Sequence, residues 1–204
     1  ATLHGIAAKT NAQGNRSMKI QSLETFVVGT PPPGWGGHYF IFVKLTTSNG
    51  ITGYGEVYAN TFGPQATVAG IEDVFQRHLE GADPFQIELF WRKAYGAGYI
   101  ARPDVSLVGV ISGLEIAMWD IVGKALNQPI YNLLGGKTRE RLRSYTYLYP
   151  EGEAADNESF FQDADAHAEQ AAKYVEQGFT ALKFDPAGPY TIFDPHMPRL
   201  DDIS

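Results

Sequence analysis

The sequence predicts an α+β domain, a three-stranded antiparallel meander with packed helices, followed by the first βαβ unit of an incomplete (β/α)8 barrel. Residues 18–59 alternate apolar and polar side chains around an Asn49-Gly50 turn. Residues 67–126 carry apolar side chains at helical spacing, and residues 142–185 run strand, helix, strand. A parallel strand pair needs cover on both faces and further strands, so this unit is expected to open a larger barrel.

The meander is predicted from three β-prone segments. The first is Met18–Gly29. The segment before it, Ala1–Ser17, is polar and aperiodic and lacks the apolar core of a secretion signal, so we expect a leader or added residues there. Three prolines and three glycines make residues 30–37 (TPPPGWGG) a loop. His38–Thr47 forms the second strand, and Ile51–Ala59 returns after the Asn-Gly turn.

Three helices are predicted next. The first runs from Thr67 to a stop at Gly81, and the second starts at Asp83-Pro84, where aspartate caps and proline fits the first turn. The third covers residues 105–126, and Glu115 lies on its apolar stripe. A carboxylate there needs a basic or hydrogen-bonding partner from elsewhere in the fold, and it is either a structural anchor or a catalytic group. That stripe consists of Val108, Ile111, Glu115, Trp119, Val122 and Leu126, with Leu114, Met118 and Ile121 beside it.

The last third of the chain predicts the βαβ unit. Its strands are Leu142–Tyr149 and Thr180–Asp185, and its helix is Glu158–Gln177. The side chains of this helix that we expect to pack against the strands are Phe161, Ala164, Ala168, Ala171, Ala172 and Val175. Residues 1–137 hold ten charges of each sign, whereas residues 138–204 hold six basic and thirteen acidic groups. This shift indicates either a domain boundary near residue 137 or an exposed acidic helix face.

Composition excludes several classes of function. The net charge of −7 argues against a nucleic-acid groove or an anionic-lipid surface. The absence of cysteine excludes disulfides, thiolate metal sites and a cysteine nucleophile. No uninterrupted apolar run reaches the roughly 18 residues of a membrane span. We therefore expect a cytoplasmic protein that binds neither nucleic acid nor membrane.

Candidate catalytic residues lie at the carboxyl end of the second parallel strand, where barrel active sites form. The period of two places Lys183 and Asp185 on one face and Phe184 on the other. Such a lysine can accept a proton or stabilise an anionic intermediate, although the pair could also be a plain ion pair that closes the sheet. Tyr145, Tyr147 and Tyr149 share a face of the first strand, where they either line the barrel mouth or fill its core.

Four motifs carry a family resemblance. Residues 53–56 (GYGE), 112–124 (SGLEIAMWDIVGK) and 128–136 (QPIYNLLGG) resemble the capping domain of the enolase superfamily, in its mandelate racemase/muconate lactonizing enzyme branch. Residues 181–190 (ALKFDPAGPY) resemble the second barrel strand of acid-sugar dehydratases of the gluconate dehydratase kind. The resemblance covers about residues 18–194. It identifies residues 18–137 as a capping domain and residues 138–204 as the start of the barrel.

The resemblance implies a magnesium-dependent enzyme that removes the proton next to a carboxylate and then expels the neighbouring hydroxyl, giving a 2-keto-3-deoxy acid. The family's metal carboxylates follow later barrel strands, so they are expected beyond Ser204, and the chain alone is expected to be inactive. Asp185 stands where many relatives carry a second lysine, which favours one-way dehydration over racemisation. No metal ligand is assigned in this chain, because the late cluster Asp194, His196, Asp201 and Asp202 has the spacing of a solvated loop.

The resemblance also implies partners. The loop that contains Trp35 and His38 corresponds to a mobile lid, so these side chains either contact substrate or pack on the barrel rim. Tyr147 is assigned to substrate binding beside them. The expected ligand is a small sugar acid, and the expected assembly is a homo-oligomer. Two alternatives share these features: a racemase or cycloisomerase of the same superfamily, and a non-catalytic binding or assembly module.

Overall fold

The computed structural model describes residues 18–31, 39–58, 63–96, 104–150, 160 and 163–184. These residues fall into two compact units with the boundary between Gly136 and Lys137, and with Thr30 and Pro31 also counted in the second. The elements of the first unit are β1 (Ile20–Gly29), β2 (Tyr39–Thr47), β3 (Thr52–Val57), α1 (Pro64–His78), α2 (Ile87–Tyr95), α3 (Val105–Leu126) and α4 (Ile130–Leu133).

The predicted meander is confirmed. The strands pair antiparallel in the order β1-β2-β3, with Phe26 opposite Phe42 and Lys44 opposite Tyr54. At the Asn-Gly turn, Gly50 has a φ of 85°, a conformation that glycine adopts without steric cost. The Thr47 hydroxyl donates a hydrogen bond to the Ile51 carbonyl and so ties the two ends of the turn together.

The core lies between one face of this sheet and the helices. Alternate residues of β2 point into it, whereas the residues between them remain half-exposed. Burial of these side chains is the main source of stability for a unit of this size. The largest fully buried side chains are Ile20, Ile41, Leu45, Ile71, Leu79, Ile111, Leu114, Met118 and Ile121.

Glycines bring α3 into direct backbone contact with β3. A Cβ atom on Gly55 would lie 1.9 Å from the Gly113 carbonyl oxygen, and one on Gly53 would lie 2.1 Å from the Ala117 carbonyl oxygen. Both distances are far below van der Waals contact, so only glycine fits. The GYGE motif therefore has a packing function, because it allows the helix backbone to rest on the strand.

Polar side chains of α3 satisfy the free edge of β3. The Tyr54 amide donates to Asp120 at 2.9 Å, and the Lys124 ammonium donates to the Thr52 carbonyl at 2.8 Å. Lys124 and Asp120 also form an ion pair at 2.7 Å. An unpaired strand edge is prone to pair with other chains, and these contacts protect it. The charged end of the SGLEIAMWDIVGK motif is thereby explained by fold rather than by chemistry.

The starts of two helices differ from the prediction. The first helix begins at Pro64 instead of Thr67. The second helix begins at Ile87 instead of Asp83, because residues 83–86 form a turn in which the Asp83 carboxylate accepts from the Phe85 amide. The helix over residues 105–126 has the predicted bounds, with Asp104 as its N-cap and Asn127 in the left-handed region at its end. By length and composition α3 could also cross a membrane, but half of its most apolar stretch is buried within the protein, as in the central helix of a globular domain.

The buried face of α3 agrees with the predicted stripe in part. Ile111 and Val122 of the stripe are buried, as are the flanking Leu114, Met118 and Ile121, whereas Glu115 and Trp119 are half-exposed and Leu126 is exposed. The reason is that the close approach to β3 buries the face with the small residues Gly113 and Ala117. The buried face is therefore rotated from the centre of the stripe toward its flanking residues.

The second unit contains β4 (Thr146–Tyr147), α5 (Ala164–Glu176) and β5 (Leu182–Lys183), and β4 pairs with β5 in parallel. The described part of the predicted barrel is therefore one parallel pair with its crossover helix. The strands are shorter than predicted, and Leu142 lies 83% exposed before β4 begins. The expected packing face of α5 was wrong, since Ala164, Ala168, Ala172 and Val175 are exposed while His167 and Gln170 are buried.

Candidate functional site

The candidate site is one face of the parallel pair in the second unit. Tyr147 lies opposite Lys183 in the register, and the Lys183 ammonium nitrogen sits 4.6 Å from the centre of the Tyr147 ring and 5.8 Å from that of Tyr145. The Tyr147 ring stacks on Tyr149, with centroids 5.3 Å apart. We call these four residues, Tyr145, Tyr147, Tyr149 and Lys183, the tyrosine–lysine face. The alternation that placed the three tyrosines on one side of the first strand is confirmed by these contacts.

The opposite face of the pair is covered by α5. Leu148 is buried, and the His167 ring packs 4.5 Å from the Phe160 ring and 5.6 Å from the Phe184 ring. Phe184 and Lys183 therefore point to opposite sides of the sheet, as predicted. Because the helix occupies the Phe184 side, the tyrosine–lysine face corresponds to the inner side of a barrel of this type.

An arginine fixes the start of both strands. The Arg143 guanidinium donates from Nε to the Thr180 hydroxyl at 2.9 Å and from a second nitrogen to the Thr180 carbonyl. The strand register is then held by the Leu148 amide, which donates to the Lys183 carbonyl at 2.9 Å. These bonds place Lys183 at the carboxyl end of β5, where a side chain in this fold class can reach a substrate.

The face has a defined chemical character. A lysine ammonium over the faces of two tyrosines is attracted by their ring quadrupoles, which favours an ordered position for a long side chain. Lys183 and Tyr145 are exposed, whereas Tyr147 is half-buried. An accessible cation beside aromatic rings can bind a carboxylate and can stabilise negative charge that develops next to it. It can also exchange a proton with a carbon acid.

A metal ion does not fit the described residues. Among them, no group of three or more histidine, aspartate or glutamate side chains converges on one point. The tyrosine–lysine face carries a cation and no carboxylate, which is the opposite of the oxygen set that magnesium prefers. No step is assigned to a metal here.

Several predicted site residues lie outside the described part of the chain. These are Trp35, His38, Asp185 and the late cluster from Asp194 to Asp202. Glu115 is described, and its partner differs from the expected one: its carboxylate accepts from the Trp119 indole nitrogen at 2.8 Å, one turn along the same helix. This bond favours the structural-anchor interpretation, and among the described residues none from another element holds Glu115 by a hydrogen bond or ion pair.

A groove in the first unit was not anticipated from the sequence. Its volume is about 640 Å3, its lining is mostly apolar, and two carboxylates, Glu56 and Asp104, lie at its border. Asp104 is occupied as the N-cap of α3, where it accepts from the amides of Ser106 and Leu107. The groove is formed by residues up to 60 positions apart in the sequence, from the end of β3, the end of α2 and the first half of α3, so no local pattern could have indicated it.

Comparison with protein families gives a match to the first unit's motifs. The model of the mandelate racemase / muconate lactonizing enzyme N-terminal domain matches residues 35–135. This range holds two of the four motifs that carry the resemblance and all but the last residue of a third, and it ends one residue before the boundary between the two units.

Curated relatives include dehydratases. A D-gluconate/D-galactonate dehydratase of Picrophilus torridus is 34% identical over 173 residues, which cover 82% of this chain and 41% of the relative. A D-galactonate dehydratase of Ralstonia pickettii is 37% identical over 131 residues, which cover 64% of this chain and 31% of the relative. The chain thus spans well under half the length of these curated relatives.

Solved structures agree on the fold. A mandelate racemase/muconate lactonizing enzyme from Sulfitobacter sp. has a TM-score of 0.80 at 53% identity, over 92% of this chain and 47% of that one. The enzyme of the same description from Jannaschia sp. CCS1 has a TM-score of 0.79 at 51% identity, over 91% and 48%. Identities above 50% show that the matched regions share a fold. They do not identify the substrate, which depends on the residues of the site.

Proposed function

This chain belongs, through the N-terminal domain at residues 35–135, to the mandelate racemase/muconate lactonizing enzyme family of the enolase superfamily, and on that premise we propose that it is the front part of an acid-sugar dehydratase. The proposed enzyme is a hydro-lyase that turns a sugar acid into a 2-keto-3-deoxy acid. The observation that carries the proposal is the tyrosine–lysine face, with the Lys183 ammonium 4.6 Å from the Tyr147 ring centre. The dehydratase names of the curated relatives support the choice of reaction.

The reaction begins at the carbon next to the carboxylate. A base removes that proton, and the electron pair moves onto the carboxylate to give an enediolate. Collapse of the enediolate expels the neighbouring hydroxyl, which takes up a proton and leaves as water, and the resulting enol tautomerises to the keto acid. We assign Lys183 to the stabilisation of the enediolate charge, and Tyr147 to contact with the substrate chain.

Other parts of the proposal rest on the family alone. Asp185 would face the substrate beside Lys183, while Trp35 and His38 would close over it from the lid loop. Magnesium would be held by carboxylates beyond Ser204, because the described residues offer no set for it. A cytoplasmic homo-oligomer is the proposed setting, and the chain without its metal carboxylates is proposed to be inactive.

An assay of the product tests whether the enzyme dehydrates a sugar acid. The complete protein that contains this chain is incubated with magnesium and a panel of sugar acids that includes D-galactonate and D-gluconate, and keto-acid formation is measured together with the stereochemistry of recovered substrate. We expect a 2-keto-3-deoxy acid from at least one of them. Racemised substrate without keto acid would instead support the racemase alternative. No turnover and no binding of any sugar acid would leave the assembly-module alternative.

A substitution tests the proposed role of Lys183. Lys183→Met should lower kcat by about 100-fold or more, because the lost charge acts in the transition state. Lys173→Met is the matched control, since Lys173 lies on α5, on the opposite side of the sheet. Both variants should keep the circular dichroism spectrum of the parent. Turnover of Lys183→Met near that of the parent would remove Lys183 from the mechanism.

A further inference from the structure

The turn between β2 and β3 places an asparagine directly before a glycine. Gly50 has a φ of 85°, and its amide donates to the Thr47 carbonyl at 2.9 Å. The Thr47 amide in turn donates to the Ile51 carbonyl at 2.9 Å. We call residues 47–51 the β2–β3 turn. The bonds that define it join residues close in sequence, so they form wherever the meander folds.

The buried Thr47 hydroxyl orients the Asn49 side chain. Its oxygen lies 2.6 Å from the Asn49 Oδ1 atom and 2.9 Å from the Ile51 carbonyl oxygen, so its hydrogen is shared between these two acceptors. Thr47 is only 1% exposed, and a hydroxyl so buried needs such partners. A donor on Oδ1 draws electrons from the side-chain carbonyl carbon. It also stabilises the negative charge that develops on this oxygen when a nucleophile attacks that carbon.

We propose that Asn49 is a modification site, at which the side-chain amide is lost by spontaneous deamidation. The nucleophile is the Gly50 backbone nitrogen, which bonds to the Asn49 side-chain carbonyl carbon and closes a cyclic imide. The bond from that carbon to the side-chain nitrogen breaks, and this nitrogen takes the proton of the Gly50 amide and leaves as ammonia. Water then breaks one carbon–nitrogen bond of the ring and gives aspartate or isoaspartate. Glycine hinders this attack least, because it has no Cβ.

A hydrogen bond of the β2–β3 turn controls the rate. In the closed turn the Gly50 amide hydrogen points at the Thr47 carbonyl, so the nitrogen must leave this bond before it attacks Asn49. Turns open locally at a small cost in free energy, and only the opened fraction reacts. The folded chain therefore deamidates more slowly at Asn49 than the unfolded chain does.

The two products differ in their effect on the meander. Aspartate keeps the backbone unchanged, and its carboxylate accepts from the Thr47 hydroxyl as the amide did. Isoaspartate adds a methylene group to the backbone, so the Gly50 amide no longer lies opposite the Thr47 carbonyl. The turn also holds the start of β1, because the Ser48 amide donates to the Lys19 carbonyl at 2.7 Å. Isoaspartate is therefore expected to loosen this end of the sheet.

Peptide mapping of the 204-residue chain tests the site. The chain is kept in mildly alkaline buffer, and proteolysis with mass spectrometry follows the conversion of each amide to an acid. Asn127 and Asn132 are internal controls, because a glutamine and a leucine follow them. Asn49 should convert at least about 10-fold faster than either control, and urea should raise its rate further. Equal rates at the three positions, or a rate at Asn49 that urea leaves unchanged, would overturn the proposal. No substrate is present, so neither outcome depends on the reaction proposed above.

Two variants separate the chemistry from its effect on the fold. Asn49→Gln keeps a side-chain amide but must close a larger ring, so it should stay unmodified over the same period. Asn49→Asp carries the milder product from the start, and its urea midpoint should match that of the fresh parent chain. The isoaspartate fraction of the aged parent, isolated by chromatography, should unfold at a lower urea concentration than either. Loss of the Asn49→Gln amide at the parent's rate, or an isoaspartate fraction as stable as the fresh parent, would contradict the inference. Circular dichroism of each variant confirms that it is folded.

Discussion

At the scale of single residues, the pair of Glu115 and Trp119 shows what helical spacing in the sequence can predict and what it cannot. The helical spacing put an acid on an apolar stripe, and a buried carboxylate demands a partner. The partner is the Trp119 indole of the same helix, at 2.8 Å, and both side chains are half-exposed. The sequence could have suggested this i, i+4 pair, because residues four apart meet on a helix. It could not reveal which face α3 buries.

The same pair yields a stability prediction. Trp119→Phe keeps the aromatic contact with the core and removes the indole donor, so it should lower the free energy of unfolding by about 1 kcal/mol. Trp119→Ala should cost less than the roughly 3–5 kcal/mol of a fully buried tryptophan. Urea denaturation followed by circular dichroism measures both. In Glu115→Gln the amide oxygen still accepts, so this variant should change stability less than Trp119→Phe; the reverse order would contradict the anchor role.

His78 gives the chain an acid-sensitive contribution to stability. Burial lowers the pKa of the imidazole below its ordinary value of 6.5, and the Arg77 charge acts in the same direction. Above pH 6.5 the ring is neutral in both the folded and the unfolded chain, so the contribution is complete. As the pH falls, the unfolded chain takes up the proton first, and stability is lost as the pH passes the lowered pKa of the folded state.

A substitution checks this dependence. His78→Gln should flatten the part of the stability curve that lies between about pH 7 and pH 5, and should leave stability above pH 7 nearly unchanged. The measurement is the urea midpoint at half-unit pH intervals for the parent and the variant. Parallel curves for the two proteins would show that His78 does not titrate differently on unfolding.

At the scale of elements, glycine contacts decide how the first unit packs. The sequence predicted the strands, the turn and the span of α3, because these depend on local periodicity. It could not predict that Gly53 and Gly55 rest on the backbone of α3, since that contact joins residues about 60 positions apart. In the same way α5 buries His167 and Gln170 instead of its alanines, because aromatic neighbours from other segments decide which face is covered.

Two glycine-to-alanine substitutions test the backbone contact between β3 and α3, because they should change stability in opposite directions. Gly55→Ala should destabilise the chain by about 3 kcal/mol or more, because the new Cβ meets the Gly113 carbonyl at 1.9 Å and neither backbone can move freely. Gly70→Ala, inside α1, should stabilise it by about 0.5–1 kcal/mol, because its Cβ finds ordinary contact at 3.8 Å. Thermal unfolding of both variants gives the comparison. Equal effects would mean that helix and strand are not in backbone contact.

At the scale of the whole molecule, each of the two units carries one part of the functional argument. The first unit has the fold and the family motifs, and its groove could not be predicted locally because separate segments form it. The second unit has the tyrosine–lysine face, which strand alternation predicted correctly because a period of two needs only a few residues. The roles of Asp185, Trp35 and His38 stay predictions, since these residues lie outside the described ranges.

The central claim is that the tyrosine–lysine face receives the sugar acid. The most direct measurement is a crystal structure of the complete protein with a sugar acid that lacks the leaving hydroxyl, so that binding occurs without turnover. We expect the Lys183 ammonium within hydrogen-bond distance of the ligand carboxylate or beside its neighbouring carbon, and the Tyr147 ring against the ligand chain. A ligand bound in a pocket from which Lys183 and Tyr147 both point away would contradict the account.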